Sequence, residues 1–495
     1  MNTPIVRLYV LILLLFAALV GFTSYWSVFD SNTLRDENAN RRPLIEEQQV
    51  RRGFIKTSDG VTVAESHPVG GGKSPVYVRD YPQGSLYAHP VGYSFVEVGQ
   101  SEIEKSENPV LAGERNEFTS ILDEIRGTPQ EGDNLTLTID SHAQQVATQA
   151  LQNAIAQYGL DNPGGSVVAL DPSTGAVKAM VSLPGYDPNQ VKNTSAFQQI
   201  THDKAAPIVD RATQSTYPPG STMKVVTAAA ALDSGEFTPD SVLSGASPQN
   251  IGGVPLFNAG DEPFGDIDMT TALTHSVNTY FGQVGEQLGT DTMVEYMKRF
   301  GFYSDPELDL PSDDMAPSGA YNSSGDLVTS GFDVGRVAIG QGGEEGQDLA
   351  TPLQMAEVAA TVANGGELMQ PTFVQQVTDP DGRVTQKLSP HVQSTAISPQ
   401  TASQLTEMMT HVTQEGTAEE LAGALGGVAF AGKTGTAEIG DPADHVNQPW
   451  FIAFAPAQDP QVAVAATIER CQGCFGAQAA GPVATQVMNA LLNGG

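Results

Sequence analysis

Three short strings, in a fixed order along the chain, combine one serine nucleophile with two lysines and a second hydroxyl. They are Ser221-Thr222-Met223-Lys224, Ser276-Val277-Asn278 and Lys433-Thr434-Gly435. A serine hydroxyl becomes a strong nucleophile only when a nearby base takes its proton. Together the strings supply a nucleophile, an amine as base, a hydroxyl to relay a proton and a second cation for an anionic substrate. The pattern predicts covalent acyl transfer that uses neither histidine nor metal.

The first string is the most informative, because no other lysine in the chain has a serine three places before it. The stiff turn Pro218-Pro219-Gly220 predicts that a helix begins there, which places Ser221 and Lys224 one turn apart on one face. At a helix start the N–H of Ser221 can point at a developing oxyanion. Lys224 can act as a base only if burial or a second cation, for which Lys433 is the candidate, lowers its pKa. Taken alone, the string also fits an ordinary helix surface.

The second string depends on its context. In an extended segment, Ser276 and Asn278 would point to the same side, so that the hydroxyl could relay a proton to a leaving amine while the amide binds a peptide backbone. Ser106-Glu107-Asn108 spells the same pattern, where a solvated loop is the simpler interpretation. Only the order of the three strings favours Ser276.

The third string follows an apolar strand candidate at residues 428–432. Gly435 would let a ligand backbone approach closely. Thr436 can offer a hydroxyl to a substrate carboxylate and an N–H to an oxyanion. The alternative is a strand edge whose lysine points to water.

Other catalytic classes find little support in the sequence. The eight histidines form no H-E-x-x-H motif, and no G-x-x-x-x-G-K-[ST] phosphate loop is present. The chain has 24 Lys and Arg against 57 Asp and Glu, which gives a net charge of −33. Such a negative charge argues against binding to nucleic acid. We therefore predict neither a metal nor any other cofactor.

An apolar run near the N-terminus predicts a membrane anchor. Residues Leu8 to Phe29 include no charged side chain, enough to cross a bilayer as a helix, and aromatic residues crowd the end of the run. The run is long for a signal-peptide core and has no A-x-A spacing near its end, although a cleaved signal is the alternative. The large domain behind it argues for a single-pass protein with its catalytic domain outside the cytoplasm.

Cys471 and Cys474 are the only cysteines in the chain. In an exported protein a local disulfide is the expected state. A zinc site would need two further ligands, and a redox C-x-x-C centre would be expected to precede a helix start.

The pattern of apolar runs predicts an α+β multidomain protein. Short strand-like pieces with turns fill the stretch between about residues 53 and 140, and a helix capped by Ser141 is expected to end near Gly159. A strand, turn and strand follow from Gly165, two adjacent strands are expected at 450–454 and 462–468, and a last helix from about Pro482. We predict an anchor over residues 1–29, a β-rich non-catalytic domain over 30–160 and a catalytic sheet domain over 161–495.

These motifs, in this order, resemble the class B penicillin-binding proteins, and most closely the actinobacterial penicillin-binding protein A group. The resemblance covers nearly the whole chain. Besides the three strings it rests on these segments: Arg52-Gly53, Asp59-Gly60, Tyr81-Pro82, His89, Gly92-Tyr93, residues 169–172, 186–189, 217–220, 340–342 and 351–356, and Trp450-Phe451. Asp210 departs from the asparagine that the family usually has there.

The resemblance implies a serine β-lactamase/transpeptidase-like catalytic domain behind a dimerisation or pedestal domain. The implied activity is a monofunctional peptidoglycan D,D-transpeptidase that crosslinks stem peptides in cell wall synthesis and is inhibited by β-lactams. Ser221 would be acylated, Lys224 would be its base, and Ser276 and Lys433 would manage protons and charge. Asn278 would hold the peptide, and the hydroxyls of Thr434 and Thr436 would bind its terminal carboxylate. The N–H groups of Ser221 and Thr436 would bind the oxyanion. Glycan polymerisation would come from a SEDS-type membrane partner.

Two alternatives remain at this stage. A D,D-carboxypeptidase or β-lactamase would share the fold, with water in place of the acceptor amine. A non-catalytic scaffold of the division or elongation machinery would keep only a vestigial pocket, against which the complete set of catalytic side chains argues.

Overall fold

The structure is a computed structural model that describes residues 3–25, 42–70, 75–113, 131–161, 163–343, 346–440 and 444–494. The N-terminal apolar run forms the helix Thr3–Ser24, whose described side chains are all exposed. Within it, Pro4–Ser24 is long and apolar enough to cross a membrane. Trp26 and Phe29, two of the aromatic residues expected at the membrane exit, lie outside the described residues.

The catalytic part is built on one antiparallel sheet, and both strand pairs predicted from the sequence belong to it. Its strands are buried almost throughout, because helices pack against the sheet. In spatial order the strands are Ala431–Glu438, Val446–Ala455, Val462–Ile468, Gly165–Leu170 and Val177–Leu183, with Cys471–Gln472 added beside Val446–Ala455. The packed helices are Ser141–Tyr158, Pro352–Ala363 and Gly481–Asn493.

A helical layer carries the first two sequence strings. The buried, alanine-rich helix Lys224–Asp233 packs against the long helix Asn278–Arg299, which has a kink at Gly289. The other helices of this layer are Met269–Thr274, Val334–Val337 and Pro399–Gln414. Strand Ala431–Glu438 packs against the helix Pro399–Gln414 and the turn Gly220–Met223, so the third string meets the first.

A second sheet lies in the N-terminal part of the chain, where the sequence predicts a β-rich domain. Its spatial order is Val384–Lys387, Val374–Thr378, Asn134–Leu137, Ile55–Lys56, Thr62–Val69 and Val76–Asp80. The first two of these strands come from well inside the segment assigned to the catalytic domain. Strand pairing therefore crosses the predicted boundary.

Buried ion pairs lie in the interior of this N-terminal part. The Glu104 carboxylate accepts hydrogen bonds of 2.6 Å from Arg52 Nε and from Arg79 Nε, and Tyr81 donates to it at 3.2 Å. Burial favours the neutral form of Glu104, but Arg79 and Arg52 outweigh it and hold the pKa of the carboxyl below its ordinary value. Removing Glu104 would leave two buried guanidinium groups without this counter-ion.

The helix Ser141–Tyr158 differs from expectation in its cap and in its partners. Asp140, not Ser141, caps it by accepting a 2.8 Å bond from the Ala143 N–H, while Ser141 Oγ donates to Asp59. The helix packs against Val177–Leu183 and Gly481–Asn493, which belong to the catalytic sheet layer. The boundary at residue 160 remains a prediction, and this packing favours an earlier one.

The remaining elements are short. The α-helices are Arg42–Glu47, Ala88–Val91, Glu102–Ser106, Asn108–Leu111, Thr194–Thr201 and Gly476–Ala479. The 3-10 helices are Gly84–Tyr87, Pro188–Val191, Gly220–Met223, Ala259–Asp261, Ser312–Asp314 and Glu419–Leu421. The strands are Ser94–Phe95, Gly99–Gln100, Leu243–Ser244, Gln249–Ile251, Val254–Leu256, Asp266–Ile267, Gly319–Tyr321, Gly342–Gly343, Gly346–Leu349, Glu367–Met369 and Val392–Thr395. Cys471 and Cys474 form the predicted local disulfide.

Candidate active site

Ser221 lies in the 3-10 turn Gly220–Met223, which continues directly into the helix Lys224–Asp233. The turn is fixed to the segment that contains Gly340, because the Gly220 N–H donates a 2.9 Å hydrogen bond to Gly340 O. Gly220 has a φ of +54°, which favours glycine, and a Cβ added there would lie 3.0 Å from the carbonyl of Thr436. The predicted helix start is confirmed, and the turn brings the serine beside the strand Ala431–Glu438.

Lys224 is fully buried, and its amine is fixed by the second sequence string. Its Nζ donates to Ser276 O at 2.6 Å, to Asn278 Oδ1 at 2.7 Å and to Ser276 Oγ at 3.2 Å. Within the described part of the chain, no hydrogen bond joins Lys224 to Ser221. The lysine amine is therefore held by neutral oxygens of Ser276 and Asn278.

Ser276 occupies a tight turn, where the sequence suggested an extended segment. Its φ of +59° lies in the left-handed region, between the helices Met269–Thr274 and Asn278–Arg299. For a residue other than glycine this conformation costs about 1–2 kcal/mol and is often found at functional sites. The turn points both the carbonyl and the hydroxyl of Ser276 at one amine, which an extended strand could not do.

Lys433 approaches the same hydroxyl from the sheet. It is fully buried in the strand Ala431–Glu438, and its Nζ donates to Ser276 Oγ at 2.9 Å and to Thr434 O at 3.1 Å. Ser276 Oγ thus lies within hydrogen-bond distance of two lysine amines. The three strings, far apart in sequence, meet at this one oxygen atom.

Burial disfavours the protonated, charged form of both lysine amines. Desolvation, and then the nearby Lys433, lower the pKa of Lys224 well below its ordinary value. Desolvation lowers the pKa of Lys433 to about 7. Near neutral pH the pair therefore holds fewer protons than two solvated lysines would, which favours the neutral amine that a base requires.

The rest of the third string lies along the same strand. Thr434 Oγ1 is 2.7 Å from Thr417 Oγ1, and Thr436 Oγ1 accepts a 3.4 Å bond from the Gly476 N–H. A Cβ added to Gly435 would lie 2.8 Å from Pro219 O and 2.9 Å from both Thr222 Cγ2 and Trp450 Cβ. The close approach that requires this glycine is thus made by the segment that carries Ser221 and by the neighbouring strand, and a ligand contact there remains a prediction.

Asn278 has both ends of its amide engaged. Its Oδ1 accepts from Lys224, and its Nδ2 donates a 2.9 Å bond to Phe257 O. The structure therefore gives Asn278 a positioning function toward Lys224 in addition to the peptide contact that the sequence predicted.

A cavity of about 630 Å³ opens over these groups. Five of the residues predicted for the site line it: Ser221, Ser276, Asn278, Thr434 and Thr436. Sequence reasoning missed several others, for which no local motif gives a signal: Phe257, Arg336, Thr417, Glu419, Glu420, Glu438, Asn447 and Phe475. Among the described residues, no group of three or more His, Cys, Asp or Glu could hold a metal ion.

Comparison with protein families identifies the class that this geometry defines. Residues 165–493 match the penicillin-binding protein transpeptidase domain, and residues 52–135 match the penicillin-binding protein A dimerisation domain. The chain belongs to the class B penicillin-binding protein transpeptidases.

Individual relatives extend over the whole chain. It is 37% identical to the peptidoglycan D,D-transpeptidase PbpA of Mycolicibacterium smegmatis and 36% identical to that of Mycobacterium tuberculosis, in each case over 100% of both chains. Among solved structures it resembles penicillin-binding protein A from M. tuberculosis in its imipenem acyl-enzyme complex. That match has a TM-score of 0.78 and 34% identity, and covers 90% of this chain and 100% of that one.

Proposed function

We propose that Ser221, with Lys224 as its base, carries the peptidoglycan D,D-transpeptidase reaction of this chain. One observation carries the assignment: two buried lysines converge on the Ser276 hydroxyl, at the wall of the cavity that also exposes Ser221. A buried amine with a lowered pKa can accept the proton of a serine hydroxyl at neutral pH. The same amine on a solvated helix surface could not.

The reaction proceeds in two balanced half-steps. Ser221 Oγ attacks the carbonyl of the penultimate D-alanine, and its proton passes to Lys224 Nζ. When the C–N bond breaks, the leaving amine of the terminal D-alanine receives a proton through Ser276 Oγ, which leaves an acyl ester on Ser221. The amine of a second stem then attacks the ester, loses its proton to the same relay, and Ser221 recovers its hydrogen as the new amide forms.

The strand Ala431–Glu438 supplies the substrate contacts. It is the outermost strand of the catalytic sheet and borders the cavity, so an extended peptide can pair with its exposed edge. The terminal carboxylate lies on the hydroxyls of Thr434 and Thr436, close to the charge of Lys433, and Asn278 holds the peptide backbone. A β-lactam places its own carboxylate on the same groups.

The oxyanion is held by the N–H groups of Ser221 and Thr436. Support comes from the close packing of Gly220 against the Thr436 carbonyl, which brings the two backbone segments together. Removing one oxyanion-hole donor from a serine protease costs about 2.7–4 kcal/mol.

The direct test uses full-length chain in detergent and benzylpenicillin. We expect Ser221→Ala to abolish covalent labelling, and peptide mapping of the labelled wild-type protein to locate the adduct on the peptide that contains Ser221. Thr222→Ala, one residue along the same turn, serves as the matched control and should still be labelled. Labelling of Ser221→Ala, or an adduct elsewhere, would overturn the assignment.

The lifetime of the penicilloyl adduct separates this function from its relatives of the same fold. A transpeptidase holds the acyl group until an amine arrives, so we expect the adduct to persist for many minutes without an acceptor. Turnover within seconds in water would indicate a β-lactamase instead.

Membrane attachment and partner belong to the same proposal. The helix Thr3–Ser24 anchors the chain in the cell membrane, with the catalytic part outside the cytoplasm. A SEDS-type membrane glycosyltransferase, the partner that the resemblance to class B penicillin-binding proteins implies, polymerises the glycan. Protease added to intact spheroplasts should degrade the catalytic part, and crosslinking in membranes should recover the polymerase. Protection from the protease would contradict the orientation.

A further inference from the structure

The edge strand Ala431–Glu438 extends beyond the residues that the proposed reaction uses. Thr434, Thr436 and Glu438 all line the cavity, as alternate residues of one strand do. Alternate residues are spaced by about 7 Å, so Glu438 lies one such step past Thr436. It is the only charged member of this row.

The Glu438 side chain is available to a ligand. It is exposed at the cavity, and among the described residues none forms a hydrogen bond or an ion pair with its carboxylate. Asn447, its neighbour across the strand pair, instead donates its side-chain N–H to Cys474 O at 2.9 Å. A carboxylate without a partner at the end of a peptide-binding strand attracts a cation on the bound peptide.

The direction of the bound donor stem follows from the proposed function, on which this inference rests. The terminal carboxylate lies toward Thr434, where Lys433 supplies positive charge, and the nucleophile turn meets the strand at Thr436. The leaving residue therefore occupies the Thr434 side of the scissile bond. The remainder of the stem must continue in the opposite direction, toward Glu438.

A stem whose third residue is lysine brings an amine to this end of the strand. That residue directly precedes the penultimate D-alanine, about one residue spacing from the scissile carbonyl, and its long side chain can span the remaining distance. A side-chain ammonium is protonated near neutral pH.

We propose that Glu438 is a specificity-determining residue that binds the side-chain ammonium of the donor stem's third residue. It selects donors whose amine is still unmodified and fixes the direction of the stem along the strand. Glu420 also lines the cavity, but it follows Thr417, whose hydroxyl contacts Thr434, and so belongs to the carboxylate side of the bound stem.

The test compares two synthetic stem pentapeptides that end in D-Ala-D-Ala, one with lysine as third residue and one with Nε-acetyl-lysine. Exchange of the terminal D-alanine for isotope-labelled D-alanine is followed with the full chain in detergent. Glu438→Gln should raise KM for the lysine peptide roughly two- to fivefold, as for an exposed ion pair, with kcat and the acetylated peptide unchanged. The lysine preference should also weaken as salt is added.

Glu420→Gln is the matched control and should change KM for the two peptides by the same factor, because both end in the same carboxylate. An equal effect of Glu438→Gln on both peptides, or no effect, would overturn the proposal. Should that variant fail to fold, the wild-type comparison still decides, since equal KM values for the two peptides would overturn it as well. Penicillin acylation reports separately on Ser221: if the wild type were not acylated, the proposed function would fail instead.

Discussion

At the scale of single residues, the proposed chemistry depends on removing two lysines from water. Lys224 and Lys433 are both fully buried, and the oxygen that they share belongs to Ser276. A solvated lysine at neutral pH is almost entirely protonated and could not take a proton from serine. Burial supplies what the sequence string alone could not, because it lowers the pKa of Lys224 well below its ordinary value and so favours the neutral amine.

The rate of penicillin acylation should therefore be bell-shaped in pH. Lys224 must be neutral to act as base, so protonation slows the reaction on the acid side. Lys433 must carry charge to hold the carboxylate, and because its pKa is about 7, the free enzyme loses that charge above neutral pH. Stopped-flow acylation between pH 5 and 10 measures both limbs, and a rate that keeps rising to pH 10 would contradict this use of Lys433.

Part of this site could be predicted from the residues and part could not. Ser221 and Lys224 are close in sequence, so helical spacing alone relates them, and order along the chain identified Lys433. The left-handed turn at Ser276 escaped prediction because a three-residue string does not report φ. Thr417 escaped because its contact with Thr434 is made only when the helix Pro399–Gln414 packs on the strand.

At the scale of elements, the nucleophile turn is fixed by glycines on both sides. Gly435 packs against one side of the turn and Gly340 against the other. Gly340 has a φ of +71°, and a Cβ added to it would lie 2.0 Å from Gly220 O. The position of Ser221 is thus set by backbone contacts. Such contacts are rigid, because no side chain can move aside to relieve them.

Gly340→Ala should displace the turn and reduce penicillin acylation by about a hundredfold, the cost of a misplacement of roughly 1 Å. Gly235→Ala is the control, because Gly235 has a similar φ of +77° but open space around it. That variant should lose about 1 kcal/mol of unfolding free energy and keep its acylation rate. Equal acylation rates in the two variants would show that the close contact between Gly340 and Gly220 does not position Ser221.

At the scale of the whole molecule, the two sheets are not separate units. Val374–Thr378, from the catalytic part, pairs with Asn134–Leu137, from the N-terminal part. Strand periodicity identified the N-terminal strands, but no local signal reports which distant strand lies beside which. The pairing of these two distant strands is therefore seen only in the structure.

A chain shortened to begin at residue 140 should therefore be less stable than one that begins at residue 42. It would lose the partner of Val374–Thr378 and present an open strand edge, which promotes association. Thermal unfolding and light scattering compare the two chains, with penicillin labelling to confirm an intact site. Equal melting temperatures and two monomeric chains would show that the shared sheet contributes little.

The buried pair of lysines also links the binding of an anion to the uptake of a proton. Lys224 and Lys433 are fully buried, and among the described residues their amines donate only to neutral oxygens of Ser276, Asn278 and Thr434. A proton on either amine is therefore a buried positive charge without a counter-ion in the protein. The carboxylate of a ligand would supply that counter-ion, so a bound anion and a protonated amine each favour the other.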